Sequence, residues 1–181
     1  MTRPTINLLV KLLVLAIATS ALGALTAAPA SAASPQPPIG AASGVLVELE
    51  TGKVLWSKEH ASVRAPASLT KIMTALVVLE NAKLDDMAPI TGEARAVDGG
   101  RMYAEVGWNF SVEELLWGLL LQSGNDAAVA LAQKVGGEGG YARFVEMMNA
   151  KAVEIGTQST AFKNPHGLDE VGHVSTARDL A

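Results

Sequence analysis

The sequence predicts a mixed α/β domain, an early β-hairpin followed by several helices. Three observations predict it: two Val- and Leu-rich runs meet at a turn early on, helix-length apolar and amphipathic segments with caps and stop signals follow, and the stretch between them has room for only one short strand.

The elements run in order. Arg3 and Lys11 precede a long apolar run from Leu12 to Ala28, and Ala30-Ser31-Ala32 gives a small-x-small cleavage pattern. That layout is a secretory signal peptide over residues 1–32. A retained membrane anchor is the alternative, because the run approaches the roughly 18 residues that can span a bilayer. The Pro-rich stretch SPQPPIG makes residues 33–41 a linker, and the domain occupies 42–181.

Residues 44–57, GVLVELETGKVLWS, read as a β-hairpin turning at Thr51-Gly52. Pro66 breaks the chain ahead of SLTKIMTALVVLENA, which is apolar on nearly every side from Leu69 to Leu79 and predicts a helix buried in the middle of the domain. Residues 83–107 show no sustained period and are expected to be irregular. Ser111 and Glu114 form a capping-box pattern before LLWGLLL, a helix that stops near Gln122 at the turn Ser123-Gly124-Asn125-Asp126. Further helices are expected over 127–134, ended by Gly136-Gly137, and over 141–155, with Phe144, Met147, Met148 and Ile155 on one face. The remainder is loop until STARDLA, where Ser175 is the expected cap.

Composition excludes several function classes. Removing residues 1–32 leaves 149 of the 181 residues and takes away Arg3 and Lys11, so 14 basic residues become 12 against 18 acidic, a net charge of −6. Such a surface gives no support to nucleic-acid binding. There is no cysteine, so no thiol nucleophile and no disulfide framework exist. His60, His166 and His173 are scattered without an HExxH pattern, so no metal site is predicted.

The chemistry concentrates in two short patterns. In Ser68-Leu69-Thr70-Lys71 a helix would put Lys71 on the same face as Ser68. A serine hydroxyl attacks well only when a base takes its proton, and burial makes a neutral lysine accessible for that. Eleven serines and eight lysines in 181 residues give about half a match by chance, so the alternative is a capping serine and a surface lysine. The apolar surroundings favour the catalytic pair, because a buried ammonium without a partner is costly. Ser68 also stands at a helix start, where its N–H is free to hold an oxyanion. In Ser123-Gly124-Asn125 a hydroxyl can relay a proton and an amide can contact a peptide-like substrate, although all of these residues also favour ordinary turns.

SxxK followed about fifty residues later by SxN is the motif pair of penicillin-binding proteins and class A β-lactamases. PASLTKIMTALVVLE and LLLQSGNDAAVALA resemble the low-molecular-weight D-alanyl-D-alanine carboxypeptidases, the S11 type of serine peptidase, and SGVLVELETGKVLWSK and FKNPHGLDEVGHVSTARDLA are also similar to that family. The resemblance covers residues 42–181. It implies a β-lactamase/DD-peptidase-like fold, a helical half packed on an antiparallel sheet, and a cofactor-free enzyme that removes the terminal D-alanine of peptidoglycan stem peptides, with β-lactams as covalent inhibitors. It also implies Ser68 as nucleophile, Lys71 as proton acceptor, Ser123 as relay and Asn125 as a substrate contact. SGN rather than SDN favours a carboxypeptidase over a β-lactamase. A D,D-endopeptidase of the same fold and a non-catalytic wall-binding module compete with the carboxypeptidase as well. The expected location is extracytoplasmic or periplasmic, with peripheral association at the outer face of the inner membrane compatible with it.

The family's KTG motif is missing, since none of Lys134, Lys151 and Lys163 is followed by Thr-Gly. The expectation is therefore a sequence incomplete at its C-terminus, unable by itself to complete the sheet or turn over substrate. Stoichiometric acylation of the 181-residue chain would contradict it. Asn164-Pro165-His166-Gly167-Leu168 and His173 are expected to be structural, the Gly136–Gly140 cluster a linker, and Trp56, Trp108 and Trp117 core or rim packing.

Overall fold

A computed structural model describes residues 38–181. The signal peptide expected over 1–32, and the linker up to residue 37, lie outside the described residues. Gly40–Ala181 forms one unit.

The hairpin comes first, as the alternation of its two runs requires. β1 (Gly44–Val47) pairs antiparallel with β2 (Val54–Lys58), Val45 opposite Ser57 and Leu46 opposite Trp56. Gly52 at φ +69° closes the turn, donating its N–H to the Glu48 carbonyl. A second two-stranded sheet, β3 (Met87–Pro89) with β4 (Asn109–Ser111), brackets residues that the sequence marks as irregular. Ser68 lies in a 3-10 turn, Ala67–Leu69, that runs into α1 (Thr70–Asn81). Between β3 and β4 lies α2 (Gly92–Ala96), capped by the Thr91 side chain on the Ala94 N–H. This helix is too short to show a periodic pattern, which is why the sequence hides it.

The reciprocal Ser111 and Glu114 capping box starts α3 (Val112–Leu121), which ends at Gln122 as expected. α4 (Asn125–Gly136) begins two residues earlier than predicted, so Asn125 belongs to its first turn and not to the preceding loop. α5 (Gly140–Glu154) follows a 3-10 turn through the glycine cluster, and α6 (Ala177–Leu180) is capped by Thr176 rather than by Ser175. Ser175 instead exchanges backbone hydrogen bonds with Arg64, and that pairing occupies the position the cap was expected to fill.

α4 organises the helical half. It packs against α1, α2, α3, α5 and β3, and every residue from Asn125 to Ala132 is buried. Four alanines in that run let neighbouring backbones approach closely, while Val78, Leu115, Leu119, Phe144 and Met148 supply the volume of the core. Helix α1 is not buried on every side: Leu69, just ahead of it, and Ile72 and Leu79 within it are 52 %, 55 % and 56 % exposed. Their spacing makes one open stripe along α1, because the helices that cover it contact the opposite face. Ile155 is likewise exposed, and Trp108 and Trp117 are rim residues rather than core.

Candidate active site

Three segments distant in sequence converge on Lys71: the start of α1, the turn into α4, and the loop 164–168. The Lys71 side chain is 3 % exposed. Its Nζ lies 3.4 Å from Ser68 Oγ, a long contact of the kind that tightens only with substrate bound. Two shorter bonds hold the amine, one to Asn125 Oδ1 and one to the His166 carbonyl, each 2.7 Å. Burial lowers the Lys71 pKa from the usual lysine value to about 8.

Ser123 Oγ donates to Ser68 Oγ at 3.0 Å, so the hydroxyl expected to act as relay meets the one expected to attack. Both hydroxyls depend on unusual backbone: Ala67, next to Ser68, has φ +49°, and Ser123 has φ +53°. Left-handed conformations cost non-glycine residues free energy, and they persist where the surroundings over-determine them. Ser68 is exposed, and a cleft of about 400 Å³ opens on it between Leu69, Ile72, Leu119 and Leu120, with Lys71 and Ser123 in its wall.

Asn125 is 4 % exposed, and its amide is engaged inside the protein at both ends. Oδ1 accepts from Lys71, while Nδ2 donates to the Asp98 carbonyl at 2.6 Å. The backbone N–H of Asn125 donates to the Gly100 carbonyl at 2.7 Å. Placed in the first turn of a buried helix, the Asn125 side chain turns inward onto the lysine. Gly99, at φ +88°, allows the approach, since a Cβ there would lie 2.7 Å from Asn125 Nδ2.

The histidines behave as structural groups in their rings. His173 accepts from the Lys163 N–H through Nδ1, which leaves Nε2 to donate to Thr70 Oγ1 at 2.8 Å. His166 accepts from the Leu168 N–H through Nδ1 and faces the Tyr141 hydroxyl with Nε2. Burial, followed by the charge of Lys71, pushes the His166 pKa down to about 4, so its ring stays neutral. Two contributions were not legible in the sequence: the His166 backbone carbonyl, and the loop at Asp98–Gly100 that clamps Asn125. Among the described residues no cluster of His, Cys, Asp or Glu could hold a metal ion.

A buried amine one helical turn from an exposed serine, with a second serine hydroxyl on the same oxygen, puts a base beside a hydroxyl, which is what activating a serine requires. Residues 30–181 match the family model of the S11 peptidases, described as D-alanyl-D-alanine carboxypeptidase. The chain belongs to that family. Among S11 relatives, D-alanyl-D-alanine carboxypeptidase DacF of Bacillus subtilis is 43 % identical over 146 residues, covering 78 % of this chain and 37 % of its own length. A D-alanyl-D-alanine endopeptidase of Pseudomonas aeruginosa is 39 % identical over 166 residues, covering 86 % of this chain and 53 % of its own. The crystal structure of the D-alanyl-D-alanine carboxypeptidase DacD from Francisella tularensis superposes with a TM-score of 0.75 at 39 % identity, over 80 % of this chain and 36 % of that one. The mixed helix and antiparallel-sheet architecture is thus the DD-peptidase fold. The chain spans about two fifths of the length of the first curated S11 relatives it matches.

Proposed function

We propose that the whole protein is a serine D-Ala-D-Ala carboxypeptidase that removes the terminal D-alanine of peptidoglycan stem peptides through an acyl-enzyme at Ser68. The carrying observation is the Lys71 amine, buried and held 3.4 Å from an exposed Ser68 hydroxyl. Ser68 Oγ attacks the carbonyl carbon of the D-Ala-D-Ala bond, and its proton passes to Lys71 Nζ. The oxyanion forms beside the Ser68 N–H, in the first turn where intrahelical acceptors are lacking. Ser123 passes the proton on to the departing amine of D-alanine, and water then hydrolyses the ester to restore Ser68. In this scheme Asn125 fixes Lys71 through Oδ1 and offers its remaining side-chain N–H to the substrate. No cofactor is required by these steps. A β-lactam carries a strained amide that the same serine opens, so such compounds are expected covalent inhibitors.

The leader pattern at residues 1–32 supports export to the extracytoplasmic face, where peptidoglycan is met. Among the described residues no helix is long and apolar enough to cross a membrane.

The test is labelling of the whole protein with a fluorescent penicillin, mapped by peptide mass spectrometry, with Ser68→Ala beside it. Label on Ser68 and its loss in the variant are expected, together with release of free D-alanine from a pentapeptide falling by about 1000-fold or more in the variant. Label elsewhere, or a Ser68→Ala protein that still releases D-alanine, refutes the assignment. The Pseudomonas aeruginosa endopeptidase keeps one second reading open, cleavage of cross-linked dimers, and assay of the two substrates side by side separates them.

A further inference from the structure

The peptide bond between His166 and Gly167 is gripped from both ends. Its carbonyl accepts from Lys71 Nζ at 2.7 Å, and its N–H donates to Asn164 Oδ1 at 2.7 Å. A peptide unit is planar, with C=O and N–H pointing opposite ways, so fixing the N–H fixes the direction of the carbonyl. Asn164 is 2 % exposed, and its Nδ2 donates to the Leu168 carbonyl at 2.9 Å and to Glu170 at 3.2 Å. The preceding unit is held from α1, where fully buried Thr74 donates to the Pro165 carbonyl at 2.7 Å.

The direction of that carbonyl has a chemical consequence. A neutral amine carries two N–H donors and one lone pair. Asn125 Oδ1 and the His166 carbonyl take the two donors, which leaves the lone pair for Ser68 Oγ. If the carbonyl swings away, an N–H is free to turn toward Ser68, and the amine presents a proton where it should accept one.

We propose that Asn164 is a positioning residue for proton transfer from Ser68 to Lys71, acting through the His166–Gly167 peptide, with Thr74 holding the same loop from the other side. This rests on Ser68 as nucleophile and Lys71 as its base. The titratable groups around the loop are His166, Asp169, Glu170 and His173 on the loop side, Lys71 on α1 and Tyr141 on α5, while Asp126 on α4 is turned to the Met102 and Ala127 N–H groups.

The experiment separates the non-covalent binding constant of a fluorescent penicillin from its acylation rate constant in the whole protein. Asn164→Ala is expected to lower the acylation constant by about 10- to 100-fold, with binding changed by less than about threefold. The loss persists at about pH 9.5, above the lysine's lowered pKa, because orientation rather than protonation is impaired. Thr74→Val, which removes one hydroxyl from a near-isosteric side chain, lowers the same constant by about fivefold or more and decides the matter if Asn164→Ala does not fold. Tyr141→Phe removes only the hydroxyl facing the His166 ring and keeps the wild-type constant. A merely structural role would reduce the fraction of protein labelled while the labelled fraction reacts at the wild-type rate, and that outcome overturns the proposal. Recovery of the rate at high pH overturns it as well. Failure of the unaltered protein to label at Ser68 removes the nucleophile assignment and the positioning role together, whereas normal labelling with a normal rate in Asn164→Ala and Thr74→Val removes the positioning role alone.

Discussion

A single methyl group at position 167 should move the nucleophile. Gly167 sits at φ +91°, and a Cβ built on it would lie 2.0 Å from the Ala67 carbonyl oxygen, 2.4 Å from its carbon and 3.0 Å from Ser68 N. Real Cβ contacts essentially never fall below 3.0 Å, so in Gly167→Ala the turn carrying Ser68 must retreat by at least the difference from 2.0 Å, about 1 Å. The obstacle is backbone on both sides, so no side chain can swing out of the way. A misplacement of about 1 Å at a reacting centre costs roughly 100-fold in rate, equivalent to about 3 kcal/mol of barrier. The left-handed backbone adds about 1–3 kcal/mol of destabilisation for an L side chain. Second-order acylation by a fluorescent penicillin and thermal unfolding of the same preparation read the two effects separately. A Gly167→Ala protein that acylates within about threefold of wild type, with an unchanged unfolding temperature, would refute the packing of loop 164–168 against Ser68.

The remaining predictions concern protonation and folding. Lys71 acts as a base only when neutral, and its pKa is lowered by burial to about 8, so acylation should rise as pH passes through about 8 and level off above it. At about pH 7, one pH unit below that value, about one molecule in ten is then competent. The His166 ring, with a pKa of about 4, contributes no step in this range. A midpoint near the ordinary histidine range, at about pH 6.5, would assign the base to a histidine and overturn the role given to Lys71. Ser111→Ala removes the cap of α3 and should cost about 1 kcal/mol in denaturant unfolding. Acylation should be unaffected, because the cap lies at the end of α3 away from Ser123; a normal unfolding midpoint would show the capping box to be inert.

Much of the fold and half of the site are legible in the residues themselves. The hairpin, the capping box at Ser111 and the stop at Gln122 are local signals, set by residues a few positions apart, and they emerge where the sequence places them. The three-residue spacing of Ser68 and Lys71 is also local, and the observed contact follows from it. Long-range pairing is not legible. Asn125 meets Lys71 across 54 positions and Asp98 across 27, and nothing in a turn-like SGND says that the amide faces inward. The His166 contribution is a carbonyl, identical in every residue type, so side-chain chemistry gives no sign of it. Its signal is conformational: a glycine after the histidine and an asparagine three positions before that glycine, the makings of a side-chain-closed turn. The open stripe on α1 escapes because periodicity ranks apolar residues without saying which faces acquire neighbours.

Ala67 and Ser123 hold their hydroxyl-bearing turns in a backbone region that glycine would occupy at less cost. A selection for heat tolerance would find improvement there, since relaxing either residue lowers the energy of the folded chain. At Ala67 the same relaxation lets Ser68 Oγ drift from its 3.0 Å contact with Ser123, and at position 123 replacing the serine removes the donor of that contact. Variants chosen only for surviving high temperature would therefore accumulate at the rim of the cleft and turn over slowly, and screening at these two positions must score activity alongside thermal survival.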